Sequence, residues 1–365
     1  MTKPQIPPQI VSLQDYIETA AEQVPAGHWA YLSGAGADGV TQADNRAAFR
    51  QYRLESRVLA DLRGGHTRLH LFGADLQHPI LAAPMAFQRL AHPTGEQGMA
   101  LGVAAAGGLS VISCQASTHM DELAKGAQGP LWFQLYLQPD REDSLRLVRR
   151  AEAAGYRALV VTVDAPVNGM RNMEARAGFS LPPDVRAVNL DGCKPAAMSV
   201  PQGGSQVFDG FMRVAPLWPD IAWLRAQTDL PLLLKGILSP RDAIQALEHG
   251  ADGIIVSNHG GRALDMLPAT LDVLPGVVDA LNGKIPVLLD GGIRRGTDVL
   301  MARALGAEAV LVGLPLMAAL AVGGAAGVAH ALMILRAELE VAMALTGCAS
   351  LQGITPAALN RARGA

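Results

Sequence analysis

One histidine is conspicuous for its neighbours. His259 lies in Ser257-Asn258-His259-Gly260-Gly261-Arg262, at the end of the apolar run Gly253–Ser257. A lone histidine in such a place is more often structural than catalytic. Here two glycines permit a tight turn, and Arg262 follows three positions later. A base and a guanidinium in one short loop suit an acid substrate. The guanidinium holds the carboxylate through paired hydrogen bonds while the imidazole takes a proton beside it. Asp164 closes another apolar run and could orient that imidazole; its bland reading is a turn or helix cap before Pro166. Lys235 ends the run LPLLLKG and is one of only five lysines. Such an ammonium either snorkels to the surface or faces an anion. A candidate anion site follows in the chain: Asp290-Gly291-Gly292-Ile293-Arg294-Arg295-Gly296, then Gly313. Glycines there let backbone N–H groups approach a phosphate, and Arg294 or Arg295 completes the cradle.

Residues so far apart in sequence need a scaffold that brings them to one place. From residue 79 onward, short β-rich apolar runs alternate with amphipathic stretches. Eight runs read as buried parallel strands: Ile80–Ala86, Leu109–Ser113, Leu131–Tyr136, Ala158–Asp164, Pro231–Gly236, Gly253–Ser257, Pro286–Asp290 and Ala309–Gly313. Between them lie helical patterns such as Arg141–Ala154 and Pro240–His249, the latter with Pro240 suited to a first turn and Gly250 to a C-cap. Eight strands alternating with helices predict an α/β fold, a (β/α)8 TIM barrel. We expect one domain over residues 1–365, with 1–78 a helical extension closing the floor or one edge and 79–365 the barrel. Residues 165–217, between strands four and five, are long, Pro/Gly-rich and unperiodic, as a lid would be. Active sites of such barrels lie at the C-terminal strand ends. The polar residues fall there repeatedly: Ser113, Gln134-Leu135-Tyr136, Thr162-Val163-Asp164, Lys235 and Ser257-Asn258-His259. One polar strand end says little; five on one face are hard to explain as packing.

Composition narrows the class. Of 365 residues, half are hydrophobic and 17% charged, which excludes a disordered chain. With 30 basic and 33 acidic residues the net charge is -3, and no basic run appears, so no nucleic-acid partner is expected. Cys114, Cys193 and Cys348 are scattered without metal spacing; no metal is expected, and a reducing, cytoplasmic compartment fits. The N-terminus has no apolar signal segment. Leu314 to Leu335 runs 22 residues without a formal charge, long enough to span a membrane. Pro315, His330 and the Gly323-Gly324 pair point instead to two buried pieces broken at the glycines, so no membrane is expected.

Ser257–Asp265 (SNHGGRALD), Asp290–Asp298 (DGGIRRGTD), Gln134–Tyr136 and Thr162–Pro166 resemble the FMN-dependent L-2-hydroxy acid oxidase and dehydrogenase family, over nearly the whole chain. The resemblance implies a barrel that binds FMN non-covalently, assembles as a homotetramer and oxidises an L-2-hydroxy acid such as lactate to the 2-keto acid. It implies His259 as the active-site base and Asp164 as its carboxylate partner. Arg171 and Arg262 resemble the two carboxylate-binding arginines, Tyr31 and Tyr136 the two active-site tyrosines. Lys235 resembles the lysine that stabilises the anionic reduced ring. Pro84, Met85, Ala86, Ser113, Gln134, Thr162 and Ser257 resemble flavin contacts; Asp290, Gly292, Arg294 and Gly313 resemble the ribityl and phosphate site.

The chain departs from the pattern in places. Gly313-Leu314-Pro315 stands where the family usually reads Gly-Arg-Pro, so a phosphate-binding arginine is missing. Met85 stands where many members have Thr, and Gln115 where the plant glycolate oxidases have tryptophan. Gln115 and Asn168 suggest polar groups near the substrate tail. The expected acceptor is O2, giving H2O2. The alternative is a dehydrogenase passing electrons to a quinone or carrier; the short, weakly charged Arg176–Pro216 segment favours the oxidase. Ala86, rather than glycine, favours release of free peroxide. An FMN-barrel isomerase would share the phosphate loops without needing the SNHGGR base. A phosphate-binding barrel without catalysis would explain neither Tyr31 nor the two arginines.

Overall fold

The computed structural model describes residues 6–195 and 200–362. All eight apolar runs form strands: β1 (Ile80–Ala82), β2 (Ser110–Ser113), β3 (Leu131–Leu135), β4 (Leu159–Thr162), β5 (Leu232–Ile237), β6 (Gly253–Val256), β7 (Val287–Asp290) and β8 (Ala309–Val312). They pair in parallel, each with its chain neighbour, and β8 closes on β1 through Val310↔Ile80 and Val312↔Ala82. Nearly every strand residue is buried, because helices cover the outside and side chains fill the inside. The first run leaves the sheet early: Ala83 still pairs with Val312, but Pro84 has no N–H to offer and the chain turns across the mouth. At Gly236, β5 bulges. A Cβ there would lie 2.5 Å from that of Asp164, at a φ of +111°, so only glycine fits.

Three helices precede the barrel: α1 (Leu13–Gln23), α2 (Ala26–Ser33) and α3 (Val40–Ala47). The outer layer follows as α4 (Gly95–Ala105), α5 (Met120–Gly126), α6 (Arg141–Ala153), α7 (Asn172–Arg176), α8 (Trp218–Arg225), α9 (Pro240–Glu248), α10 (Thr270–Leu281), α11 (Gly296–Ala304) and α12 (Leu314–Leu345). Local signals set their ends. The Asp140 carboxylate caps α6 and the Ser239 hydroxyl caps α9, where Pro240 occupies the first turn. Helix α12 holds the uncharged stretch. It breaks at Gly323 and Gly324, packs against α4 and α1, and buries Leu316, Leu320, Val328, Leu332 and Leu335 inside the protein.

The extension is less helical than expected. Leu69–Leu71 and Ala74–Leu76 form a hairpin, and Tyr52–Leu54 pairs antiparallel with Leu359–Arg361. The hairpin tip closes the barrel floor: Phe72 meets the Trp132 ring edge-on at 5.7 Å and lies against Gly253, at the N-terminal end of β6. Helices α2 and α3 lie at the opposite end and wall the mouth. The segment between β4 and β5 also has structure, with α7, short turns at Val188–Leu190 and Phe211–Arg213, and a π turn at Gln206–Gly210. Its residues 196–199 lie outside the described residues.

Candidate active site

A cavity of about 580 Å³ opens at the C-terminal strand ends, within the roughly 300–1,000 Å³ usual for small-molecule and cofactor sites. Tyr31, Tyr136, Arg171, Arg262, His259, Pro84, Met85, Ala86, Ser113, Gln134, Thr162, Lys235, Asp290, Gly292, Arg294 and Gly313 all line it. Of the residues expected from sequence, Asp164 and Ser257 lie behind its surface rather than on it.

One end carries His259. His259 Nδ1 is 2.8 Å from Asp164 Oδ1, which leaves Nε2 as the outward nitrogen. Burial raises Asp164, but the charge of Lys235 and the His259 hydrogen bond outweigh it and hold the carboxyl below its ordinary range. Asp164 therefore stays anionic and fixes the imidazole. His259 has a positive φ of 59°, an uncommon conformation for a side-chain-bearing residue, and the loop around it is firmly clamped. Asn258 and Asn45 of α3 exchange amide hydrogen bonds of 2.8 and 2.9 Å. Gly261 lies so close to α3 that a Cβ would come within 2.6 Å of Gln42 N. Asp265 accepts from the backbone N–H groups of Asp38, Val40 and Thr41, which pull its carboxyl down to about 2.

Two guanidiniums line the same end of the cavity. Arg262 donates to the carbonyls of Tyr31, at 2.7 Å, and of Leu32 and Gly34. It is thus fixed to the C-terminal end of α2. Burial, then the charge of Arg171, pushes it down to about 10, still protonated near neutrality. Arg171 pairs with Glu174 at 3.0 Å, and Arg262 reaches the same oxygen at 3.7 Å. One carboxylate serves two cations, and Arg171 Nε is buried with no partner among the described residues. Tyr31 stacks on Phe179 with ring centroids 4.9 Å apart. Burial pushes the Tyr31 and Tyr136 phenols up, so both stay protonated and present neutral donors.

At the centre, Lys235 Nζ is 2.9 Å from Asp290 Oδ2 and donates to Ser257 Oγ at 2.8 Å. Burial disfavours the ammonium, but Asp290 and Asp164 more than offset this and hold the lysine above its ordinary value. The Ser257 hydroxyl also accepts from His259 N at 3.1 Å. Ser257, expected as a flavin contact, also braces the lysine and the histidine. The strand ends opposite are held by buried Glu96, which accepts from Gln88 N, Ser117 N, Ser117 Oγ and Thr118 Oγ1. That carboxylate ties the loops after β1 and β2 together, and all its bonds come from neutral donors.

The far end is glycine-rich and cationic. Arg294 is half-buried and donates to the Ile293 carbonyl at 2.9 Å. Arg295 turns away to Glu338 at 3.1 Å, so Arg294 alone of that pair faces the cavity. Sequence reasoning missed three cavity residues with strong polar chemistry: Asn45 and Arg46 on α3, and Glu174 as the partner of both arginines. The adjacent Asn-Arg ahead of Phe49 was the available signal, but nothing in it says which end of the barrel the helix covers.

The matches to known proteins agree with this geometry. The family model described as FMN-dependent dehydrogenase matches residues 20–361. The chain belongs to that family. An L-lactate oxidase of Alicycliphilus denitrificans is 48% identical over 96% of each chain. The glycolate oxidase of Spinacia oleracea is 41% identical over 95% of each. The solved structure of a mandelate oxidase with benzoyl-formic acid superposes with a TM-score of 0.88 at 40% identity, covering 97% of this chain and 99% of that one. The cofactor is FMN, and the residues present fit it. Gln134 Nε2 and Asp290 Oδ1 are buried at the cavity and unpartnered among the described residues, a donor and an acceptor of the kind a flavin edge and a ribityl hydroxyl satisfy.

Proposed function

We propose that His259 is the general base, with Asp164 its orienting partner, in an enzyme acting on L-2-hydroxy acids of the lactate class. The protein is an FMN-dependent oxidoreductase that converts a 2-hydroxy acid to the 2-keto acid with O2 as acceptor. The acid loses two electrons and two hydrogens, and O2 gains them as H2O2. FMN, when bound, supplies the two-electron chemistry between them. The observation that carries the reading is the 2.8 Å His259–Asp164 pair opening onto a cavity where two guanidiniums share one carboxylate.

In this reading Arg171, Arg262 and Tyr31 hold the substrate carboxylate. The forks match its two oxygens, and the protonated phenol adds a neutral donor. His259, neutral at the start, accepts the hydroxyl proton if hydride leaves C2, or the C2 proton if a carbanion forms first. Asp164 stabilises the imidazolium that results. Pro84, Met85, Ala86, Ser113, Gln134 and Thr162 would bed the ring, and Lys235 would oppose negative charge gathering on it. Asp290, Gly292, Arg294 and Gly313 would hold the ribityl chain and phosphate. Gln115 and Asn168 line the same cavity and would meet the substrate tail. The L-lactate, glycolate and mandelate oxidases among the relatives support O2 as acceptor and a 2-hydroxy acid as substrate. The single domain and homotetramer expected from the resemblance, and the cytoplasmic setting that three free cysteines suit, belong to the same proposal. Purified protein given L-lactate, glycolate and mandelate under air should form 2-keto acid and H2O2 in equal amounts. No peroxide with any L-acid would overturn the reading.

A further inference from the structure

We propose that Arg46, on α3 of the N-terminal extension, is a second phosphate-binding guanidinium of the cofactor site, acting together with Arg294. The proposal rests on the reading above that the phosphate lies on the loops after β7 and β8. It concerns a residue outside the barrel that no sequence motif marks.

Arg46, Arg294, Gly292, Gly313 and Leu314 line one end of the same cavity. Leu314 adds an apolar side chain and no cation. Arg295 is turned out to Glu338. The charge available to a phosphate therefore comes from Arg294 and Arg46. A single carboxylate stands between them, and it is already heavily used. Asp298 Oδ2 lies 2.9 Å from Arg46 Nη1 and also accepts from the backbone N–H groups of Arg294, at 2.8 Å, and Arg295, at 3.0 Å.

Two guanidiniums and one carboxylate leave one positive charge uncompensated at a half-buried, glycine-rich wall. Burial, then the charge of Arg46, pushes Arg294 down to about 10. Like charges held together in this way are costly without an anion between them. Arg46 is also prepared to bind. Among the described residues its hydrogen bonds are made by Nη1, to Asp298 and to the Gly292 carbonyl, so Nη2 and Nε remain. Its side chain keeps 35% of its surface exposed, its guanidinium carbon lying 5.8 Å from the centre of the Phe49 ring. A residue serving only to brace the Gly292 loop would need neither the second cation beside it nor the open face.

The test removes the phosphate from the ligand instead of removing activity. Apoprotein is titrated with FMN and with riboflavin, followed by quenching of flavin fluorescence, for wild type, Arg46→Gln, Arg46→Lys and Arg294→Ala. Arg46→Gln should weaken FMN by about tenfold to a hundredfold, as loss of a charge-assisted contact does, and leave riboflavin unchanged. Arg46→Lys should fall between, keeping charge without the fork. Equal weakening of both flavins, or no change in either, would make Arg46 a structural brace and overturn the proposal. Should Arg294→Ala separate FMN from riboflavin while Arg46→Gln does not, the phosphate site stands and the role of Arg46 falls. Should neither separate them, the phosphate is elsewhere and both readings fall. If Arg46→Gln does not fold, melting of wild-type and Arg46→Lys apoprotein in inorganic phosphate decides it. A smaller phosphate-induced rise in Tm for the lysine variant is expected, and an equal rise counts against the proposal.

Discussion

The two ends of the cavity share one charge pattern and differ in everything else. At one end Arg171 and Arg262 share Glu174; at the other Asp298 pairs with Arg46 and accepts from the backbone N–H of Arg294, whose guanidinium lies beside them. Each end holds two guanidiniums against one carboxylate, an arrangement completed by an anion. The first end adds a fixed imidazole and two protonated phenols. The second adds glycines and, among the described residues, no titratable group suited to proton transfer. On the proposed reading, one anion is held where chemistry happens and the other where only anchoring is needed. The same pairing thus serves catalysis or binding according to whether a base stands beside it. Lys235, fully paired with Asp290 between them, keeps the middle neutral until charge develops there.

Changes at the reacting end should act on rate. His259→Gln should keep bound FMN and slow anaerobic flavin reduction by at least about two orders of magnitude, read by stopped-flow absorbance. Asp164→Asn should cost less, since the base remains. Reduction of the His259→Gln flavin at near wild-type rate would return this histidine to a structural role. Arg262→Lys keeps the charge but loses the fork and the bonds to the α2 carbonyls. It should lower kcat/KM by about tenfold to a hundredfold.

Changes at the anchoring end should act on occupancy. Arg294→Ala should weaken FMN by about tenfold or more and leave the KM for the acid almost unchanged in the reloaded enzyme. A protein that keeps its flavin through that change would break the comparison. Leu314→Arg should tighten FMN by a few-fold, adding a third cation to a wall that already has two. The gain should be larger in the Arg46→Gln background, where one cation has been removed. Flavin release on dialysis, measured for the four proteins, checks the order.

Much of this was legible in the sequence because its signals are local. Strands buried on both faces read as apolar runs, so all eight were found, and the motif around His259 marked its own loop. What escaped depends on chain placement in space. Asn45 and Arg46 are ordinary residues of a polar helix until α3 is docked on the mouth by Asn258 and Asp265. Glu174 looked like one charge among several until it fell between two arginines. Ser257 was expected to touch the cofactor; that its hydroxyl also accepts from Lys235 Nζ and His259 N could not be read from the strand alone. The hairpin at Leu69–Leu76 was hidden in a segment expected to be helical, because strands of three residues are too short to show a period.

The central claim is that the reacting end is built for an anion lying beside a base. Its most direct test is anaerobic mixing of the holoprotein with the best L-2-hydroxy acid, its D-enantiomer and its methyl ester, followed by flavin absorbance. The L-acid should bleach the flavin in one turnover, and readmitted O2 should return the colour with one H2O2 per 2-keto acid. The D-acid and the ester should leave the flavin oxidised, the ester because it carries no charge for Arg171 and Arg262. Bleaching by the ester as fast as by the acid would contradict the account.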